Sequence, residues 1–318
     1  MDVLFLLGGL IGLVIGGEML VRGAVAAAER FGISPMIIGL TLVGFGTSSP
    51  ELVTSIQAAL AGSPGIAMGN VVGSNIGNIL LILGIATLLM PIAVDPQVLK
   101  RDGTVLVLAS AVCVVAVLLG DIGRMAGGTM ITLLCVYLGV TLFLERRKSS
   151  PVAELYSAEA TLVTAPTTSL GKSLLIAGVG LVVTILAARY LILGAVSLAQ
   201  AVGLSETVIG LTIVAIGTSM PELVTSIIAI RKGQGDVALG NIIGSNIFNI
   251  LGILGITALV QPLSVPPEIA KLDIWVMSLA TLALIIFART GWQIGRREGF
   301  GLLSAYVVYV GYLLIGSN

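Results

Sequence analysis

The chain has 318 residues, 57% hydrophobic and 10% charged, with 16 Lys and Arg balanced by 16 Asp and Glu, and its mean hydropathy is +1.11. A water-soluble core cannot absorb so much apolar surface, so the bilayer is its expected solvent. A neutral chain without histidine also lacks the clustered basic side chains that phosphates demand, and no nucleic-acid partner is expected.

Ten apolar stretches follow in chain order, at roughly 3–21, 35–60, 66–90, 103–120, 126–144, 172–200, 206–230, 237–260, 272–288 and 300–316. Each is near or above the ~20 residues that a helix needs to cross the hydrocarbon, and the longer ones should tilt. The first stretch is long and lacks the basic flank of a signal peptide, so it is read as a retained helix. With the 21–35 connection on the cytoplasmic side, alternate loops place 13 of the 16 Lys and Arg residues there, leaving Arg124, Arg189 and Lys271 outside or near it. The positive-inside rule then puts both termini outside, in a multi-pass protein of the cell membrane. Cys113 and Cys135 fall inside predicted spans and read as packing residues.

An internal repeat organises these spans. At a fixed offset of 171, residues 39–84 align with 210–255 without a gap, and 29 of the 46 positions are identical. Each copy holds an odd number of spans, five, so the second must enter the membrane from the opposite face. The expected fold is therefore all-α and integral to the membrane: ten transmembrane helices as two inverted-topology five-helix repeats with broken core helices. Residues 1–144 form the first repeat, 145–171 a short cytoplasmic linker and 172–318 the second repeat. Secondary transporters commonly share this plan, with substrate bound near the midplane where the repeats meet.

The chemistry lies in two parts of each repeat. Gly46-Thr47-Ser48-Ser49-Pro50-Glu51 returns as Gly217-Thr218-Ser219-Met220-Pro221-Glu222. An acid at membrane depth is expensive unless it faces protein or a bound cation. Pro50 has no N–H and its ring displaces the carbonyl of Gly46, as Pro221 does for Gly217, which predicts breaks in the second and seventh spans. Thr47 and Ser48 sit four and three positions before Glu51, on one helical face, and Thr218 and Ser219 repeat this before Glu222. Asn70, Ser74 and Asn78 line one face of the third span, matched by Asn241, Ser245 and Asn249 on the eighth. This set of carboxylate, hydroxyl, amide and carbonyl oxygens suits Ca²⁺ or Na⁺ rather than Zn²⁺ or Cu⁺. Two carboxylates are cancelled by one Ca²⁺ or by at least two Na⁺, so competition for one pair would couple the two ions.

The paired GTSxPE and GNxxGSNxxNI segments resemble the two alpha-repeats of the sodium/calcium exchanger family, in the cation/Ca²⁺ exchanger superfamily, and look like its prokaryotic type without a regulatory domain. The resemblance covers nearly the whole chain. It implies Na⁺-driven Ca²⁺ transport by alternating access, with Glu51 and Glu222 as central ligands beside Thr47, Ser48, Thr218 and Ser219. It further implies Ser74, Asn78, Ser245 and Asn249 as completing ligands, with backbone carbonyls near Gly44 and Ala215 serving flanking Na⁺. Some relatives have aspartate where Asn249 stands, which bears on affinity and potassium dependence. The transported ions Ca²⁺ and Na⁺ are the expected partners, with no cofactor, and function as a monomer is expected.

The nearest rivals are an H⁺/Ca²⁺ antiporter and a K⁺-dependent Na⁺/Ca²⁺ antiporter of the same superfamily, since carboxylates can also carry protons. An ion channel would more usually build its pore by subunit symmetry. An intramembrane hydrolase could use Ser48 or Ser219, but there is no histidine and no lysine near either, so no enzyme is expected.

Overall fold

The computed structural model describes residues 2–31, 38, 44–145, 157–158 and 169–316. In chain order these form α1 (Asp2–Arg30), α2 (Gly44–Thr47), α3 (Ser49–Leu60), α4 (Pro64–Leu89), α5 (Pro96–Leu118), α6 (Arg124–Glu145) and α7 (Leu170–Val202). The remainder are α8 (Glu206–Thr218), α9 (Met220–Arg231), α10 (Gly235–Val260), α11 (Ile269–Arg289) and α12 (Arg296–Gly316). Eight of these helices are long and apolar enough to cross a membrane, and a ninth span arises if α8 and α9, bent by 44°, count as one. The span expected at 35–60 lies partly outside the described residues, as does most of the 145–171 connection.

Local sequence explains the element ends. Ser205 caps α8 by accepting the Val208 N–H at 3.2 Å, and Asp95 caps α5 by accepting those of Gln97 and Val98 at 2.7 and 3.2 Å. Because of that cap, α5 begins at Pro96, not near 103, and carries Lys100, Arg101 and Asp102 inside the helix. Gly62 and Gly233, equivalent at the 171 offset, follow α3 and α9 with φ of +79° and +75°. Only glycine takes that conformation without strain, so both helices stop there.

Burial separates centre from periphery. In α4 and α10, 83% and 78% of the apolar window is buried, against 28% and 33% in α1 and α7. A helix apolar all round and enclosed on every side is a core element. Both central helices widen into π-helical turns at Asn78–Leu83 and Phe248–Leu254, a distortion frequent at functional sites.

The two long outer helices are fastened to each other by glycines. A methyl added to Gly9, Gly12, Gly16 or Gly23 would lie 2.6 Å from Leu191 N, 2.8 Å from Ala187 Cβ, 2.7 Å from Thr184 N or 2.5 Å from Ala177 N, respectively. No side chain fits there, so α1 and α7 approach backbone to backbone. Gly17 instead faces Pro50 of α3, at 3.1 Å, while Gly8 and Gly178 meet nothing within 4 Å. The glycines of α1 thus serve the α1–α7 seam more than the surface against the core.

Two short antiparallel ladders join the halves. β1 (Ile92–Ala93) pairs with β4 (Gln293–Ile294), aligning Ile92 with Ile294. β2 (Asp121–Ile122) pairs with β3 (Leu263–Ser264), aligning Ile122 with Leu263.

Candidate functional site

The breaks fall at Ser48 and Ser219. Ser219 has φ −82° and ψ 10°, Ser48 φ −87° and ψ 8°, and each is followed by a new helix with proline in its first turn. This differs from a proline kink within one continuous helix. Proline is favoured in a first turn because its missing N–H has no partner to lose there. The carbonyl of Gly46 accepts the Ser49 hydroxyl at 2.7 Å, so in this half a side chain satisfies the oxygen that Pro50 leaves free. Met220 occupies the equivalent position and has no hydroxyl to offer Gly217.

The breaks bring the two acidic motifs together crosswise. Ser48 donates to Glu222 Oε1 at 2.8 Å, and Ser219 donates to Glu51 Oε1 at 2.9 Å. Each half thus holds the other half's carboxylate, and both glutamates are 0% exposed. The side chains of Thr47 and Thr218 also reach Glu222 and Glu51, again crosswise. All four predicted Thr and Ser residues therefore surround the pair.

Asn70 and Asn241 position the glutamates through the backbone. Asn70 donates to the Glu51 carbonyl at 3.1 Å and to Ser55 Oγ at 2.9 Å, and its own Oδ1 accepts from Thr218 at 2.9 Å. Asn241 repeats this more loosely, at 3.5 Å to the Glu222 carbonyl and 3.3 Å to Ser226 Oγ. Ser55 and Ser226 escaped the sequence reading, although each lies four residues after its glutamate and the two match at the 171 offset. Asn246 was also missed; it accepts from Asn78 Nδ2 at 3.1 Å, a contact between central helices that no spacing rule announces.

Several oxygens of the predicted set are left unsatisfied. Glu51 Oε2, Glu222 Oε2, Ser74 Oγ, Ser245 Oγ, Asn78 Oδ1 and Asn249 Oδ1 are all buried without a hydrogen-bond partner. Buried oxygens are almost always paired, and in a bilayer each orphan is costly. All six are oxygens, two of them carboxylate, and oxygen is the donor type that hard cations prefer. Ala215, also predicted, is buried; its carbonyl accepts Ser219 N at 3.1 Å and the Thr218 hydroxyl at 3.3 Å. Gly44 opens α2, and the residues just before it lie outside the described set.

A cavity of about 280 Å³ is lined by Thr47 and Pro221 of the two motifs and by Glu18 and Arg22 of α1. Glu18 pairs locally with Arg22 at 2.5 Å, and both are exposed.

Comparison with known proteins points one way. The family model described as sodium/calcium exchanger protein matches residues 1–143 and 172–315. The sodium/calcium exchanger MaX1 of Methanosarcina acetivorans is 35% identical, covering 96% of this chain and 97% of that one. The inner membrane protein YrbG of Escherichia coli is 37% identical, over 97% and 95%. Among solved structures, the sodium-calcium exchanger NCX_Mj soaked with 2.5 mM Na⁺ and 0.1 mM Ca²⁺ aligns at a TM-score of 0.67, with 32% identity, over 98% of this chain and 97% of that one.

Proposed function

Since the chain belongs to the sodium/calcium exchanger family, we propose that the crossed glutamates Glu51 and Glu222 form the site where Ca²⁺ and Na⁺ compete during antiport. The protein is a multi-pass membrane Na⁺/Ca²⁺ antiporter. The observation that supports the assignment of the site is the pair of buried, reciprocally held carboxylates, each with one oxygen left without a partner. Ser74, Asn78, Ser245 and Asn249 complete the coordination in this reading, and the Gly44 and Ala215 carbonyls serve flanking Na⁺.

The proposal extends to architecture. Ten spans in two inverted five-helix repeats place the loops holding β1 and β4 in the cytoplasm, and those holding β2 and β3 outside. Strands can pair only on one side of a membrane, and the observed pairings, β1 with β4 and β2 with β3, agree with that topology. The same topology puts both termini outside and makes the cavity beside Glu18 a cytoplasmic approach to the ions. The glycine seam makes α1 and α7 one rigid body, and alternating access is its movement across the core of α2–α4 and α8–α10.

Reconstituted protein in liposomes loaded with Na⁺ and diluted into ⁴⁵Ca²⁺ medium should accumulate Ca²⁺ only while the Na⁺ gradient lasts. Uptake driven equally by a proton gradient, or requiring K⁺, would replace this reading with one of its rivals. In the same assay, Asn249→Asp should retain Ca²⁺ transport while gaining a dependence on pH, because the added carboxyl must be ionised to bind; failure of the parent to move Ca²⁺ would refute the ion assignment. Asn70→Ala removes the bonds to the Glu51 carbonyl and to Ser55 and should raise the Ca²⁺ KM about 10-fold, since one such buried bond contributes ~1.4 kcal/mol. An unchanged KM would show that Asn70 does not position the acid.

A further inference from the structure

The offset that relates the two glutamates also relates a second pair of buried acids, Asp102 and Asp273. Each lies in a π-helical turn near the start of its helix, α5 or α11. Each accepts a hydrogen bond from a tyrosine on the last helix of its half: Tyr137 reaches Asp102 Oδ1 at 3.0 Å, and Tyr309 reaches Asp273 Oδ1 at 2.8 Å.

The two acids differ in their charge partner. Arg101 grips both oxygens of Asp102, with Nε 2.6 Å from Oδ1 and Nη2 2.9 Å from Oδ2. The residue equivalent to Arg101 is Leu272. Asp273 Oδ2 has no hydrogen-bond partner, although the residue is only 1% exposed. A buried carboxylate without a compensating charge is strongly disfavoured.

Asp273 lines a cavity of about 510 Å³ together with Ser205, Thr207, Glu268, Lys271 and Leu272. None of these residues belongs to the glutamate site. Lys271 shares the space, but its ammonium is not bonded to Asp273 Oδ2. Asp273 and Glu268 against Lys271 leave one negative charge, and the first half answers its own acid with one positive charge. The hydroxyls of Ser205 and Thr207 add neutral oxygen donors. There is room for an ion that keeps part of its water shell, at ~30 Å³ per water.

We propose that this cavity is a second cation site, in which a monovalent metal ion of sodium size binds Asp273 Oδ2 and takes the part that Arg101 plays for Asp102. By the topology proposed above, the site faces the external solution. It is built by one half of the chain only, so it breaks the symmetry of the duplication.

The test uses the purified full chain carrying Glu51→Gln and Glu222→Gln, so that its outcome does not depend on the proposed exchange site. Equilibrium binding of ²²Na⁺ is measured with choline chloride holding the ionic strength constant. The expected result is one saturable Na⁺ per chain, weakened at least ~10-fold by Asp273→Asn, retained in Asp273→Glu and lost in Leu272→Arg, which supplies the missing guanidinium. Leu272→Arg should also unfold at a temperature that no longer responds to Na⁺, which separates filling of the site from loss of the fold. Sodium binding that persists in Asp273→Asn or Leu272→Arg, its absence from the background chain, or displacement by Ca²⁺ at lower concentration than by K⁺ overturns the proposal.

Discussion

Replacing either Glu51 or Glu222 by glutamine is expected to reduce Na⁺-driven Ca²⁺ uptake by at least ~100-fold, with the chain still folded and inserted. Glutamine preserves size and keeps an oxygen to accept from Ser219 or Ser48, the bonds of 2.9 and 2.8 Å that cross between the halves. What it removes is one of the two charges that Ca²⁺ needs, at a point where both residues are fully buried. A charge-assisted contact of this kind contributes ~1.5–3 kcal/mol, which is already 10- to 100-fold in affinity. Bare Ca²⁺ left with a single compensating carboxylate in a low-dielectric site adds to that loss. The measurement is ⁴⁵Ca²⁺ uptake into Na⁺-loaded proteoliposomes, with the amount of inserted protein equalised. Parent-like uptake in both single variants would remove the crossed pair from the mechanism.

A disulfide between Val21→Cys and Gly46→Cys should arrest exchange, by ~100-fold or more, in oxidised protein, and reductant should restore it. Val21 of α1 lies against Gly46 of α2, its Cβ 3.3 Å from where a Cβ on Gly46 would stand, close to the separation that a disulfide requires. The bond would pin the outer pair α1–α7 to the core. A matched control lies within the proposed moving body: cysteines in place of Phe5 of α1 and Tyr190 of α7, whose rings lie 5.5 Å apart, joined by a flexible bifunctional thiol reagent, should crosslink without loss of transport. Cys113 and Cys135 are unpaired thiols and would first be changed to alanine. If the pinned protein exchanges as fast when oxidised as when reduced, α1 is not the moving part. If the control also stops transport, α1 and α7 do not move as one.

The location of the acids was legible in sequence because it rests on local facts. A proline and a glutamate inside a long apolar run are unfavourable wherever the chain folds, and their recurrence at one offset with Thr, Ser and Asn in step marks both copies. Oxygen-only chemistry follows from the absence of histidine and the remote positions of the two cysteines. The break falls at Ser48 and Ser219, inside the Gly46–Pro50 and Gly217–Pro221 segments where the prolines predicted it. Proline's clash with the preceding turn says that a continuous helix fails, but the serine that becomes the hinge is chosen by its bond to the opposite glutamate, a tertiary contact.

By itself, the sequence determined that this chain lives in a bilayer, that it is a duplication, and that each motif sets hydroxyls and a carboxylate on one helical face, since hydropathy, self-similarity and helical spacing are properties of neighbouring residues. The tertiary structure alone decided that the serines serve the other half's carboxylate and that glycines bind α1 to α7. Those outcomes depend on which surfaces meet across 140 to 180 residues of chain, as in the Ser48 to Glu222 and Thr218 to Asn70 bonds. No periodicity within one helix encodes which face of another it will find.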